Sequence, residues 1–310
     1  MESGFLATAT ALLAATIRMS TPLTLAAIGE TFSEKSGILN IGLEGIMLSG
    51  AFFSFITAYY TQSIVLGIVG GCLGGIFISL IHGYLSIRMG VDQTISGLAL
   101  NFLSLGLTSF FFLMAFGKNT DLPECPVVSA LPIPLLKDIP VLGVALFSQD
   151  PFVYGMLIAV IVSYIILQKT EWGVNIHAIG EHPKAAGAAG IDVFKTRYCT
   201  ALLNGLFGGL AGSYLTLALL GFFMENITSG KGYIALVVVI LGRRHPVGVF
   251  LAAILVGAAE ALQFRLQTMG TGIPSQVFNM FPYVITVLVL FVSIGRNRTP
   301  AALGKPYRQG

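Results

Sequence analysis

Charge is what this sequence has least of. Asp, Glu, Lys and Arg make up 10% of its 310 residues while 55% are hydrophobic, and mean hydropathy is +0.85. A water-exposed surface cannot be built from so few charges, which excludes a soluble globular protein and leaves an integral membrane protein. Several chemical signatures are missing too. No G-x-x-x-x-G-K-[ST] phosphate loop occurs, so the chain does not bind and hydrolyse ATP by that route. H-E-x-x-H and G-x-S-x-G are absent, and His82, His177, His182 and His245 lack metal-ligand spacing; neither a catalytic residue nor a metal site is expected. Without a row of gating arginines or a T-V-G-Y-G filter, a voltage-gated or potassium-type channel is disfavoured. The three cysteines, Cys72, Cys125 and Cys199, show no pairing pattern and read as packing residues. No nucleic-acid partner is expected.

What is present is a succession of uncharged windows of about 20 residues, the length that crosses a hydrocarbon core. Predicted spans lie at 6–29, 41–60, 64–87, 93–116, 151–168, 197–220, 232–242, 247–266 and 278–295. The fold class is therefore an all-α polytopic bundle of about nine spans, eight to ten, forming a single transmembrane domain over 1–310. The first run has no basic start and reads as a retained helix, not a cleaved signal. The run 232–242 is too short for a straight crossing unless it begins at Ile227, so a broken or re-entrant segment is an alternative. With a cytoplasmic C-terminus, the inner side holds Lys35, Arg88, Lys169, Lys184, Lys195, Arg197, Arg243, Arg244, Arg296, Arg298, Lys305 and Arg308, 12 of the 17 basic residues. The proline-rich loop 117–150, with two lysines against Asp121, Glu124, Asp138 and Asp150, suits an extracytoplasmic cap over the pore mouth.

Glycines recur at four-residue spacing in the spans, as Gly67, Gly71 and Gly75, Gly205 and Gly209, and Gly208 and Gly212. Such rows let helix backbones approach closely, and packing within one bundle is favoured over a subunit interface. The charged candidates in the apolar phase are Arg18, Glu30, Glu44, Glu260 and Arg265, each of which needs a reason to be there. The stretch Gly29–Gly45 is too polar for continuous lipid-facing helix. It is either a gate dipping between helices or a loop capped by Ser36, Asn40 and Glu44. Glu260 and Gln263 share one face that should point into the bundle, and a structural hydrogen bond there is favoured over solute contact. Asp92 reads as a helix cap. Asn101, Ser104 and Thr108 form a polar stripe that either lines a path for a neutral hydroxylated solute or bonds a neighbouring helix, and Asn204 and Ser213 share that ambiguity.

The loop 170–196 holds a short polar helix in an apolar chain. Pro183 and Gly190 bound about eight residues, Lys184 is its only charge, and Ala185, Ala186, Ala188 and Ala189 offer a small-residue surface. It has no large apolar anchors for lipid and is too short to stand alone, so a docking surface is the better reading than a connector lying along the headgroups.

Five segments carry a resemblance: TPLTLAAIGETFSEKSGILNIGLEGIML, WGVNIHAIGEHPKAAGAAGIDV, GKGYIALVVVILGRRHPVG, ALQFRLQ and PAALGKPY. Together they resemble a permease of the ribose and nucleoside branch of ABC importers nearly end to end, with a type II-like permease fold. The likeness is to the shorter of two permease subunits in bacterial nucleoside importers. It implies a multi-pass protein of the bacterial cytoplasmic membrane, in contact with lipid, that works as a heterodimer with a second homologous permease. The implied partners are a cytoplasmic ATPase with two fused nucleotide-binding domains, which uses ATP and Mg, and a lipid-anchored binding protein; this chain itself carries no cofactor. The resemblance makes residues 181–191 the coupling helix, with Glu181, His182, Pro183, Lys184, Ala185, Ala186, Ala189 and Gly190 as the ATPase contact. Gly187-Ala188 departs from the bulkier or charged pair of relatives and would soften that helix. The expected path residues are Glu30, Asn40, Glu44, Asn101, Ser104, Asn204 and Glu260. Expected function is half of the translocation path of an ATP-driven importer of nucleosides. The alternatives are a simple-sugar permease of the same kind and a proton-coupled secondary transporter with Glu30, Glu44 or Glu260 as relay.

Overall fold

The computed structural model describes residues 2–117, 122–134, 137, 139, 141–268, 274–293 and 299–307. Among them the chain forms helices only, with one isolated bridge between Glu124 and Phe222. The helices are α1 (Glu2–Lys35), α2 (Leu43–Thr61), α3 (Ile64–Gly83), α4 (Gln93–Phe116), α5 (Leu142–Leu146), α6 (Pro151–Lys169) and α7 (Glu171–Glu181). After them come α8 (Pro183–Ala188), α9 (Val193–Tyr214), α10 (Lys231–Leu241), α11 (Pro246–Thr268), α12 (Ser275–Asn279) and α13 (Phe281–Ser293). Turns of wider π geometry prolong α3 through Tyr84–Arg88 and α9 through Leu215–Leu220. Capping follows the sequence chemistry. The side chain of Asp92 accepts from the amides of Thr94 and Ile95 at 2.9 and 3.0 Å, and Asp150 does the same for Phe152 and Val153 ahead of Pro151.

Among the described residues six helices are long and apolar enough to cross a membrane: Leu6–Lys35, Ile64–Arg88, Gln93–Phe116, Pro151–Lys169, Val193–Leu220 and Pro246–Thr268. Among those residues the nine-span count is thus not met by length and composition. The physical reason is clearest in α2, where 13 of 19 residues are buried, Glu44, Ser49 and Ser54 included. A helix wrapped by protein needs less hydropathy than one wrapped by lipid. Helix α10 has 11 residues, about 16 Å at 1.5 Å per residue, and is preceded by the non-helical stretch 221–230, as expected of a broken segment.

Helix α1 packs on α9, α10, α11 and α6, while α2 packs on α3, α4 and α9, and α3 on α9. The glycine rows serve these contacts inside the chain. A Cβ at Gly75 would overlap the carbonyl of Gly205, one at Gly209 that of Gly71, and one at Gly212 that of Met47. Large apolar side chains left uncovered, such as Phe77, Phe110, Met114, Leu251 and Phe291, make an exterior suited to hydrocarbon. The structure gathers Lys35, Arg88, Arg197, Arg243, Arg244 and Lys305 at one end of the bundle, around the ends of α1 and α3 and the start of α9. Arg296, Arg298 and Arg308 lie outside the described residues. At the other end, Cys125 and Val128 donate to the carbonyls of Gly221 and Leu217, so part of the 117–150 loop lies across the end of α9; Asp121 and Asp138 lie outside the described residues.

Candidate functional site

The short polar helix is shorter than its sequence limits suggest and is one half of a two-helix element. Helix α7 precedes it, capped by Thr170, whose hydroxyl accepts from the Gly173 amide at 3.2 Å. Gly173, Ile176, Ile179 and Gly180 are its buried face, a helical spacing present in the sequence but masked by its two glycines and the polar residues between them. Trp172 stacks on Phe32 of α1 with ring centroids 6.1 Å apart, and Gly180 presses against the carbonyl of Lys35. The chain turns at His182, and α8 then runs only six residues, Pro183–Ala188. It closes on Gly190 at φ +88, with the Ile191 amide donating back to Ala186 at 3.1 Å.

The eight expected contact residues divide. Glu181, His182, Lys184, Ala185, Ala189 and Gly190 are exposed and Pro183 is half-buried, but Ala186 points inward, packed with Ile179 and Val193. Ala186 is therefore the seat of α8 and no part of its outer surface. Gly187 has a steric reason: an added Cβ would sit 2.7 Å from the Tyr307 hydroxyl, so the residue that seemed to soften the helix makes room for the C-terminal segment. That segment is bound closely, with the Ala302 amide donating to Gly180 and that of Gly304 to Gly37, at 2.9 and 3.1 Å. Arg197, fully buried, donates to the carbonyls of Ser36 at 3.1 Å and Lys305 at 3.5 Å.

The seven expected path residues lie in contacts between this chain's own helices. Glu30 accepts from the Asn40 amide at 2.9 Å and from the Asn204 side chain, and the Asn40 side chain donates to Asn204 at 3.1 Å. The stretch read as a dip is helix as far as Lys35 and then a tight, buried turn. Asn40 caps within that turn, accepting from the Gly42 amide at 3.0 Å, whereas Glu44 does not cap its own helix. It reaches instead to the start of α10, accepting from the Thr228 hydroxyl at 2.6 Å and the amides of Gly230 and Gly232 at 2.8 and 2.6 Å. Gly232 has no side chain because Glu44 fills that place. Asn101 accepts from the Gly45 amide and donates to the Ile41 carbonyl and the Tyr233 hydroxyl, and Ser104 fills the space beside Gly45. The stripe on α4 thus faces α2.

Replacing Glu44 with Gln leaves two backbone amides and a hydroxyl competing for one carbonyl oxygen. The expected cost is about 1–3 kcal/mol. It should appear as a lower unfolding temperature of the purified chain in detergent; an unchanged temperature would mean that the start of α10 is held by other contacts.

Glu260 also joins two helices, through an ion pair with Lys231 across α10 and α11, but it differs in that both residues line a cavity of about 330 Å³ with Gln263, Asn279, Ser229 and Tyr283. Gln263 donates to Asn279 at 2.8 Å. Lys231 had no assigned role in the sequence, nor did Glu34, which pairs with Arg244 in the interior. Arg18 and Arg265 find neutral partners, Gln149 and Thr8, at 3.0 and 3.1 Å. Among the described residues no cluster of His, Cys, Asp and Glu could hold a metal ion.

Over residues 12–290 the chain matches the family described as branched-chain amino acid transport system / permease component. It is 40% identical over 307 residues to the guanosine ABC transporter permease protein NupQ of Bacillus subtilis, covering 96% of each chain. To the nucleoside ABC transporter permease protein NupC of Lactococcus lactis it is 35% identical over 298 residues, 93% of each. Each of those organisms has a second, more distant relative, NupP at 28% and NupB at 27%. TsgC13 of Haloferax volcanii, provisionally named a glucose ABC transporter permease, is 32% identical over 327 residues, 97% of this chain and 98% of its own. A solved metal-chelate type ABC transporter in an inward-facing conformation superposes with a TM-score of 0.50 at 14% identity, over 91% of this chain and 85% of its own, a likeness of fold alone. Matched over most of its length by the family and at such identity by these permeases, a multi-pass chain built in this way belongs to that family of transport-system permease components.

Proposed function

We propose that the chain is the permease subunit of an ATP-driven nucleoside importer and forms half of its translocation path. The observation that carries this reading is the near full-length match to NupQ and NupC, named for guanosine and nucleosides. The second permease in each of those organisms supports a heterodimer. ATP and Mg are used by a partner ATPase with two fused nucleotide-binding domains, and a lipid-anchored binding protein delivers the solute outside. The exposed side of α8, from His182 to Ala189, is the coupling surface for that ATPase. Its end of the bundle, with the C-terminus, faces the cytoplasm of a bacterial cell, as the concentration of Lys and Arg there supports. The crossings number nine, counting α2, the broken segment 221–241 and α13 besides the six long helices.

The path runs past the Lys231–Glu260 cavity, where neutral donors and acceptors flank a compensated ion pair, a lining suited to an uncharged hydroxylated solute. The remaining carboxylates, Glu30 and Glu44, serve as joints. Uptake of labelled nucleosides and simple sugars by the reconstituted complex, with its binding protein, tests the reading. Guanosine-class solutes are expected to be carried in an ATP-dependent manner. Uptake of glucose or ribose alone would favour the sugar permease that the likeness to TsgC13 supports, and uptake sustained by a proton gradient without ATP would favour a secondary transporter.

Lys231→Met and Glu260→Gln each leave one charge uncompensated in the bundle, at an expected cost of about 3–5 kcal/mol. The double variant should regain the membrane level of the parent, because neither charge then remains. If the pair lines the path, uptake by the double variant stays reduced although the protein is present; full recovery of uptake would make the pair a joint only.

A further inference from the structure

A cavity of about 340 Å³ opens at the end of the bundle that carries α8, lined by Lys35, His177, Glu181, Arg243, Arg244 and Pro300. Four stretches of chain meet there: the last residue of α1, helix α7, the turn between α10 and α11, and the C-terminal segment. Among the described residues lining it, three are cations and one, Glu181, is a carboxylate, with Glu34 paired to Arg244 behind the wall and Glu30 within electrostatic reach of Arg244.

The donors are incompletely used. Arg244 is 6% exposed and its Nε donates to Glu34, yet its Nη1, also buried, has no hydrogen-bond partner among the described residues. The Nε2 of His177, in the same wall, is buried and unpartnered as well. Burial, with the charge of Lys35 adding to it against Glu181, pushes the His177 pKa down to about 4, so the ring is neutral at physiological pH and adds no charge. Among the described residues Glu30 is engaged by Asn40 and Asn204 and Glu34 already holds the Nε edge, which leaves Glu181, exposed in the wall, as the carboxylate that competes for the cavity. Arg243 and Arg244 also occupy consecutive left-handed positions, at φ 54 and 55, which non-glycine residues keep only where their surroundings impose it. A water could satisfy one orphaned donor but would bring no negative charge to the three cations of the wall. A tetrahedral anion has oxygens for an ammonium and two guanidinium groups at once, and arginine's planar fork suits it.

We propose that this cavity binds a phosphate group, supplied either by the head group of an anionic phospholipid or by a free phosphate compound. The occupant joins the end of α1 and the α10–α11 turn to α7, and so steadies the platform from which α8 projects, away from the Lys231–Glu260 cavity. The test uses the full chain in nanodiscs of pure phosphatidylcholine, titrated with inorganic phosphate against sodium chloride of equal ionic strength while thermal unfolding is followed. A second set of discs contains phosphatidylglycerol. Expected is a rise in unfolding temperature with phosphate, with phosphatidylglycerol, or with both. The Lys35→Gln/Arg243→Gln pair should weaken that response about tenfold, as loss of charge-assisted contacts requires. Glu181→Gln, which removes the opposing charge and keeps an acceptor for the Ala301 amide, should strengthen it. If phosphatidylglycerol abolishes the response to free phosphate, a lipid head group is the occupant; if phosphate acts equally in both discs, the ligand is soluble. The proposal is overturned if neither phosphate source exceeds chloride, or if the double variant and Glu181→Gln both respond as the parent does.

Discussion

Ala185→Asp should abolish uptake while the chain still inserts and folds. Ala185 is exposed on α8, so a carboxylate there leaves the helix seated and alters only what the helix presents. On the proposed coupling surface it would be buried, unpaired, against the partner ATPase. A penalty of about 3 kcal/mol or more at such a contact lowers affinity over a hundredfold. The measurement is co-purification of the ATPase with the permease, alongside nucleoside uptake. Normal uptake by Ala185→Asp would sink the assignment of α8. The neighbouring substitution separates docking from folding. Ala186 is 5% exposed and packs with Ile179 and Val193, so Ala186→Asp should lower the amount of folded chain before any docking is tested.

Gly209→Val should remove most of the folded protein from the membrane. The position faces the Gly71 carbonyl and, at 3.0 Å, the Cα of Cys72, so the obstruction is backbone that no rotamer change can clear. Helices α3 and α9 would have to separate, and α2, which packs on both, would lose its seat. Overpacking costs about 1–3 kcal/mol where side chains can yield and more where they cannot. Quantified membrane levels check the result, with Gly106→Ala as control, since nothing lies within 4 Å of that position. Equal levels of Gly209→Val and parent would show that the α3–α9 crossing tolerates separation.

The helical bundle and the closeness implied by the glycine rows were legible because each depends on residues near one another in sequence. The same holds for Asp92, whose cap is complete within three residues. The shortness of the run at 232–242 was legible from length alone, and it left a broken or re-entrant segment as an alternative. Roles of polar side chains were far less legible. Glu44 read either as part of a gate or as a local cap, and it holds the start of α10, 186 and 188 residues away. Asn101, on a polar stripe, looked equally like path or joint, and in the structure it bonds three partners, on α2, the turn before it and α10. Ala186 could not be told from Ala185 by residue type; only the packing of α7, α9 and Tyr307 separates them.

By itself the sequence determined that this chain is a helical membrane protein, where most of its long apolar helices lie, and that a short alanine-faced helix with a single charge stands outside the apolar runs. Hydropathy, capping and length are local quantities, and a chain of 310 residues with 10% charge states them plainly. Only the tertiary structure decided which buried polar groups are joints, which side of α8 is free, and which charges meet. Those outcomes depend on pairings such as Glu34 with Arg244, 210 residues apart, whose free energy exists only once the intervening helices have packed.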